Sequence, residues 1–197
     1  MHPSVPATNL KELIAHIKAN PGKMSYGSAG HGSLNHLTGE LFKLRAGITD
    51  LPHVPYRGAG PALNDIVAGQ IPMIVPAMTS IVQGHHEAGR LRVLAVTHGT
   101  RLKAAPDLPT AVEQGFPDVV APNFIGLYFP TGVSKEIINH VASANLKLMA
   151  EPSWQEFLVK GAFEVEPPLS TEKYKQFVED DMKRWRPIVA AMGIKID

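Results

Sequence analysis

Leu10, Leu13, Ile14 and Ile17 fall on one face of a helix that Thr8 or Asn9 can cap and that Asn20-Pro21-Gly22 stops. The apolar pattern then changes period. "KMSYGS" reads as a strand, and from about Ser33 to Leu44 an amphipathic helix follows. "LPHVPY" predicts a strand, "GPALNDIVAG" a helix and "IPMIVP" an apolar strand. "TSIVQGHHEAG" reads as a short helix and "LRVLAVT" as a buried strand. Strands that alternate with helices of this length need crossovers. The pattern therefore predicts an α/β fold with a mostly parallel sheet and helices on both faces, with ligands at the carboxyl ends of the strands.

The rhythm breaks in "RLKAAPDLPTAVEQGFPDVVAPN", a proline-rich connector with a short helix predicted around Thr110 to Gln114. Beyond it "FIGLYFP" reads as a strand. Helices are predicted from Ser134 to about Ala150, over "SWQEFLVKG", and from Ser170 toward Met192, with "AFEVEPP" as a strand between the last two. Tyr174, Phe177, Met182 and Trp185 recur at helical spacing, a stripe that belongs to a core more readily than to a cofactor site.

The chemistry concentrates where the predicted strands end. Gly27-Ser28-Ala29-Gly30-His31-Gly32-Ser33 has the glycine spacing of a phosphate-binding loop, but Ser33 stands where that loop needs lysine. What remains is a glycine-rich turn running into a helix N-terminus, whose first N–H groups lack partners within the helix. Such a turn holds a small anion, with Ser28, Ser33 and Asn35 as side-chain donors. Arg57-Gly58-Ala59-Gly60 and Pro76-Ala77-Met78-Thr79 form two further small-residue loops, and Tyr56 can turn its hydroxyl toward the same cleft or pack at the strand end. The competing reading of the first loop is a tight strand-to-helix turn.

Composition narrows the function. The apolar fraction of 44% suits a globular core, and a net charge of +1 offers no field for nucleic acid. Without cysteine there is no disulfide, thiol nucleophile or zinc thiolate. No apolar run is long enough to span a membrane, and "MHPSVPATNL" lacks a signal-peptide pattern. Among nine histidines, His31 and His36 are five positions apart and His85 and His86 adjacent, none in a recognised ligand spacing, so neither a metal nor a cofactor is expected. Glu40, Asp50 and Asp65 are scattered and no G-x-S-x-G elbow occurs. The alternative to a binding protein is a small α/β enzyme that uses the Gly27–Ser33 loop as a phosphate or oxyanion site.

The blocks "YGSAGHGSLNHLTGELFK", "HVPYRGAGPALNDIVAGQI", "GRLRVLAVT", "APDLPTAVEQGFP" and "GLYFPTGVSKEIINHV" together resemble the tripartite tricarboxylate transporter substrate-binding proteins, the Bug or TctC family. The resemblance implies a periplasmic-binding-protein-like fold of type II. It also implies an extracytoplasmic, periplasmic receptor that closes over a small di- or tricarboxylate and delivers it to the permease subunits of a membrane transporter. By the same resemblance residues 3–123 are a nearly complete second lobe and residues 124–197 the helix-rich segment that completes the first, of which the N-terminal part is absent. The ligand-binding positions it implies are Ser28, Ala29, Gly30, His31, Gly32, Ser33, Asn35, Tyr56, Gly58, Ala59, Gly60, Pro76, Ala77 and Met78. Relatives often carry an acid or amide where this chain has Pro76-Ala77-Met78, which favours a ligand without an ammonium group. A truncated first lobe is expected to leave "FIGLYFP" and "AFEVEPP" without sheet partners and Phe157, Phe177 and Trp185 uncovered, and so to drive the chain into a homodimer.

Overall fold

A computed structural model describes residues 1–165, 167 and 169–193. Helix α1 (Leu10–Ala19) starts at Asn9, whose side chain accepts the Glu12 N–H, and it buries Leu10, Leu13 and Ile17. The sheet has three parallel strands, β1 (Tyr26–Ser28), β2 (His53–Pro55) and β3 (Met73–Ile74), in the order β2-β1-β3. Tyr26 pairs with His53 on one side and with Met73 on the other. Helix α2 (Leu34–Ala46), capped by Ser33, connects β1 to β2. Helix α3 (Ala59–Val67) crosses from β2 to β3, and α4 (Ser80–Glu87) follows β3.

Alternation along β1 builds a core on each face of the sheet. Tyr26 points into a cluster with Leu13, Ile17, Leu41 and Phe42 from α1 and α2. A Cβ added at Gly27 would point the other way, toward Tyr56, Ile71 and Ile74. On that face Ala62 and Ile66 of α3 and Val82 of α4 pack with Ile71 and Ile74. Because α2 leaves toward one face and α3 and α4 toward the other, the loops at the carboxyl ends of the strands diverge and leave a crevice.

The sheet is smaller than the pattern predicts. "LRVLAVT" is extended and its Leu91, Leu94 and Val96 are buried, yet it makes a single parallel bridge, Val96 with Thr110. Its backbone bonds are shared among Met1, His85, Pro109, Ala111 and Ala121, so no neighbour runs alongside long enough to make a strand. "FIGLYFP" also lacks strand structure, with Ile125, Leu127 and Tyr128 exposed. Residues 163–165 and 167 of "AFEVEPP" are not a strand; Glu166 and Pro168 lie outside the described residues. The short helix expected around Thr110 to Gln114 is a series of turns, closed by Gln114 N–H to Ala111 and Gly115 N–H to Val112.

The C-terminal helices are α5 (Lys135–Ala150), α6 (Pro152–Lys160) and α7 (Thr171–Met192). Trp185 of α7 is not uncovered: it is 8% exposed and joins Leu41 and Phe42 in the main core, with Ile188, Val189 and Met192 alongside. Arg184 fixes that return by donating from Nη1 to the Val120 carbonyl at 2.7 Å. Helices α5 and α6 pack on each other and bury no residue fully, and Phe157 (62% exposed) and Phe177 (38%) stay open as expected. No helix of the described residues is long and apolar enough to cross a membrane.

Candidate functional site

The turn from β1 into α2 is held mainly by its own polar groups. Ser28 Oγ accepts the Gly30 N–H and lies 3.1 Å from the Gly30 carbonyl. Ser33 Oγ donates to that same carbonyl at 2.7 Å and accepts the His36 N–H as the helix cap. The Gly32 N–H is given to His36 Nδ1 at 3.1 Å. Gly30 and Gly32 have φ of 133° and 70°, a conformation open to glycine and closed to proline. The loop therefore spends several of the donors that its sequence offers to an anion. Gly30, Gly32 and Ser33 form a hydrogen-bonded strand-to-helix turn.

Other donors remain. Among the described residues the backbone N–H groups of Ala29, Leu34 and Asn35 and the Asn35 side chain have no hydrogen-bond partner. Ala29 and Asn35 line a shallow surface depression, which encloses no water-sized cavity, with Gly27, Ser28, Ala59, Ala62, Ile74, Val75 and Pro76, between the starts of α2 and α3 at the carboxyl end of β1. No charged side chain lines it. A carboxylate placed there would meet unpaired amides and two helix N-termini, whose dipoles favour negative charge.

The expected residues divide accordingly. Ser28, Ala29, Asn35, Ala59 and Pro76 meet at the hollow. Gly58 and Gly60 flank Ala59, and the Gly58 N–H is bonded to the Ala29 carbonyl at 3.2 Å, tying the second loop to the first. Tyr56 is turned aside: its hydroxyl donates to Asp65 Oδ2 at 2.9 Å, and burial and that carboxylate raise its pKa. Met78 bridges the α3–α4 core to a small cluster around Val96 and Leu102. Ala77 is half-buried beside it, and Arg57 is exposed.

His31 and His36 meet a third histidine that the sequence pattern does not single out. His53, at the start of β2, stacks on His36 with ring centroids 3.9 Å apart, and His31 stands edge-on to both at 5.1 and 5.6 Å. Ser28 Oγ and His53 Nε2 share a hydrogen bond of 2.6 Å. Burial, then the neighbouring His36 and His31, push the His53 imidazole down to about 4. His36 is lowered first by burial, with Glu40 opposing. The signal in the sequence is weak: one histidine inside a strand, whose register against β1 decides what it touches. The Ser28–His53 pair is closed off from solvent on the serine side. Ser28 is 2% exposed, and no carboxylate accepts from the other His53 nitrogen among the described residues.

A family model described as the tripartite tricarboxylate transporter family receptor matches residues 1–194. The chain belongs to this family. A UPF0065 protein of Bordetella pertussis is 34% identical over 193 residues, 98% of this chain and 59% of the relative. A solved periplasmic transporter is 34% identical with a TM-score of 0.86, covering 100% of this chain and 64% of the other. An R. palustris protein solved with adipate is 27% identical with a TM-score of 0.83, covering 97% of this chain and 63% of its own length. This receptor-family chain thus spans about three-fifths of the relatives it matches. Its fold is the α/β periplasmic-binding-protein type of the family, a family of solute-binding proteins rather than enzymes.

Proposed function

We propose that the chain is part of an extracytoplasmic, periplasmic receptor that binds a small dicarboxylate or tricarboxylate and hands it to the permease subunits of a tripartite tricarboxylate transporter. The observation that carries this reading is the uncharged hollow at the carboxyl end of β1, with free amides of Ala29 and Asn35 on its rim. It suits an acid held by hydrogen bonds and helix dipoles, and the relative solved with adipate supports that ligand class. Residues 3–123 are one lobe in this reading, and residues 124–197 contribute to the other. The open hollow is one jaw, and closure of a second jaw brings the remaining donors.

The same reading accounts for the exposed apolar surface of Ile125, Leu127, Tyr128, Ile137 and Phe157, which suits cover by further protein. In isolation the chain is expected to self-associate through that surface, measured by sedimentation at micromolar concentration.

The binding site is tested by titrating adipate into the isotope-labelled chain and following backbone amide signals. Saturable shifts at Ala29, Leu34 and Asn35, absent with the neutral dimethyl ester, are the expected result. Shifts confined to other regions, or chemical conversion of the acid, would overturn the reading.

A further inference from the structure

We propose that His31, His36 and His53 form a binding site for a divalent transition-metal cation of the zinc and nickel class, beside the turn from β1 into α2. The three residues come from separate elements, the turn after β1, the first turn of α2, and the start of β2. Sheet register brings them together, since His53 pairs with Tyr26 two residues before Ser28. One nitrogen from each ring lies within 4.8 Å of the other two. Tetrahedral zinc with Zn–N bonds of about 2.0–2.1 Å needs ligand nitrogens about 3.3 Å apart, so the rings must close by rotation about their side-chain bonds.

The surroundings permit that movement and supply outer contacts. His31 is exposed on a loop and free to swing, while His36 is buried and His53 half-buried. Ser28 Oγ holds one nitrogen of His53, the kind of contact that orients a ligating imidazole through its far side. Gly32 N–H already finds a lone pair on His36 Nδ1, so that ring nitrogen is an acceptor in the folded protein. Loading the site costs that amide contact whichever His36 nitrogen binds, since ligation through Nε2 moves the proton to Nδ1, and it opens the 3.9 Å stack between His36 and His53. Both costs predict a site weaker than a closed structural zinc site.

The donor set also selects the cation. Three imidazoles with no carboxylate among them suit zinc, nickel or copper and not magnesium or calcium, which take oxygen ligands. Three protein ligands leave a coordination position for water or another oxygen donor.

The test is calorimetric titration of zinc chloride into the tag-free chain, with magnesium chloride as the control. It is repeated in His31→Ala and in a His85→Ala/His86→Ala double variant, which removes the other histidine pair. The expected result is one zinc per chain, no magnesium binding, and a loss of roughly 100-fold or more in zinc affinity for His31→Ala alone. Because His31 is exposed, its variant is expected to keep the wild-type circular dichroism and melting curve in the absence of metal. A second readout is the histidine ring signals in NMR, where diamagnetic zinc should move three of the nine and leave the rest. Unchanged affinity in His31→Ala, loss that follows the His85/His86 variant, or no saturable zinc binding would each overturn the site.

Discussion

Gly39 of α2 lies directly against the ring of Tyr26 in β1, so that a methyl group at position 39 would overlap the ring carbons. Tyr26 cannot step aside. It is fully buried, and its hydroxyl donates to Glu40 Oε1 at 2.7 Å, where Lys43 Nζ is also bound at 2.8 Å. Gly39→Ala is therefore expected to destabilise the fold by about 1–3 kcal/mol despite alanine's better helix propensity. Denaturant unfolding checks it. Combining the change with Tyr26→Leu should recover part of the loss, since the two positions are in contact and do not act independently.

Trp185 joins α7 to the core against α2. Trp185→Ala should cost about 3–5 kcal/mol through a large cavity. Phe157→Ala, at a side chain 62% exposed on α6, should change stability little. Equal losses in the two variants would mean that α6 is covered in solution as fully as α7.

Asn35 offers an unpartnered side-chain amide at the rim of the hollow. Asn35→Ala is expected to weaken adipate binding by roughly 10-fold, one hydrogen bond to a charged group, with little change in stability. Titration of both proteins followed by NMR measures the ratio.

In the proposed reading the uncharged lining of the hollow is expected to disfavour amino-acid ligands. A glutamate ligand would bring an ammonium group with no carboxylate among the lining residues to receive it, and desolvating that charge is costly. Adipate and succinate are expected to outcompete glutamate, and preferential displacement of the simple diacids by glutamate would refute this.

The connector after Val96 is tied by Glu113, whose carboxylate accepts the Thr110 N–H at 2.8 Å and pairs with Arg101 Nε at 2.9 Å. The Thr110 amide first, then Arg101, hold its pKa below the usual glutamate value. With a lowered folded pKa the unfolded chain binds the proton more readily. The contribution of Glu113 is then fully present above about pH 4.3 and is lost as pH falls through the folded value. Glu113→Gln should destabilise the protein at pH 7, and the gap from wild type should narrow as the solution is made acidic. Unfolding curves at pH 7 and in acid measure it.

Local pattern is sufficient where an element carries its own instructions. Asn9, Ser33, Thr79, Ser134 and Ser170 each cap the helix that follows, and their side chains accept an N–H of its first turn. The apolar spacings behind them make α1, α2 and α7 legible. The strand expected at "LRVLAVT" does not form because an apolar run records burial and not pairing. Its neighbours, Met1, Pro109, Ala111 and Ala121, come from distant parts of the chain and each gives it only a bond or two.

The capped helices, the glycine turn after β1 and the blocks that carry the family resemblance are legible in the chain's local pattern, because hydrogen bonds within a few residues and a hydrophobic period need no distant partner. Long-range packing sets which donors of that turn stay free, that Tyr56 is held by Asp65, that Trp185 is buried against α2, and that His53 joins His31 and His36. Each of these depends on sheet register or on a helix returning across the core, and such contacts are set by the joint packing of segments far apart in the chain.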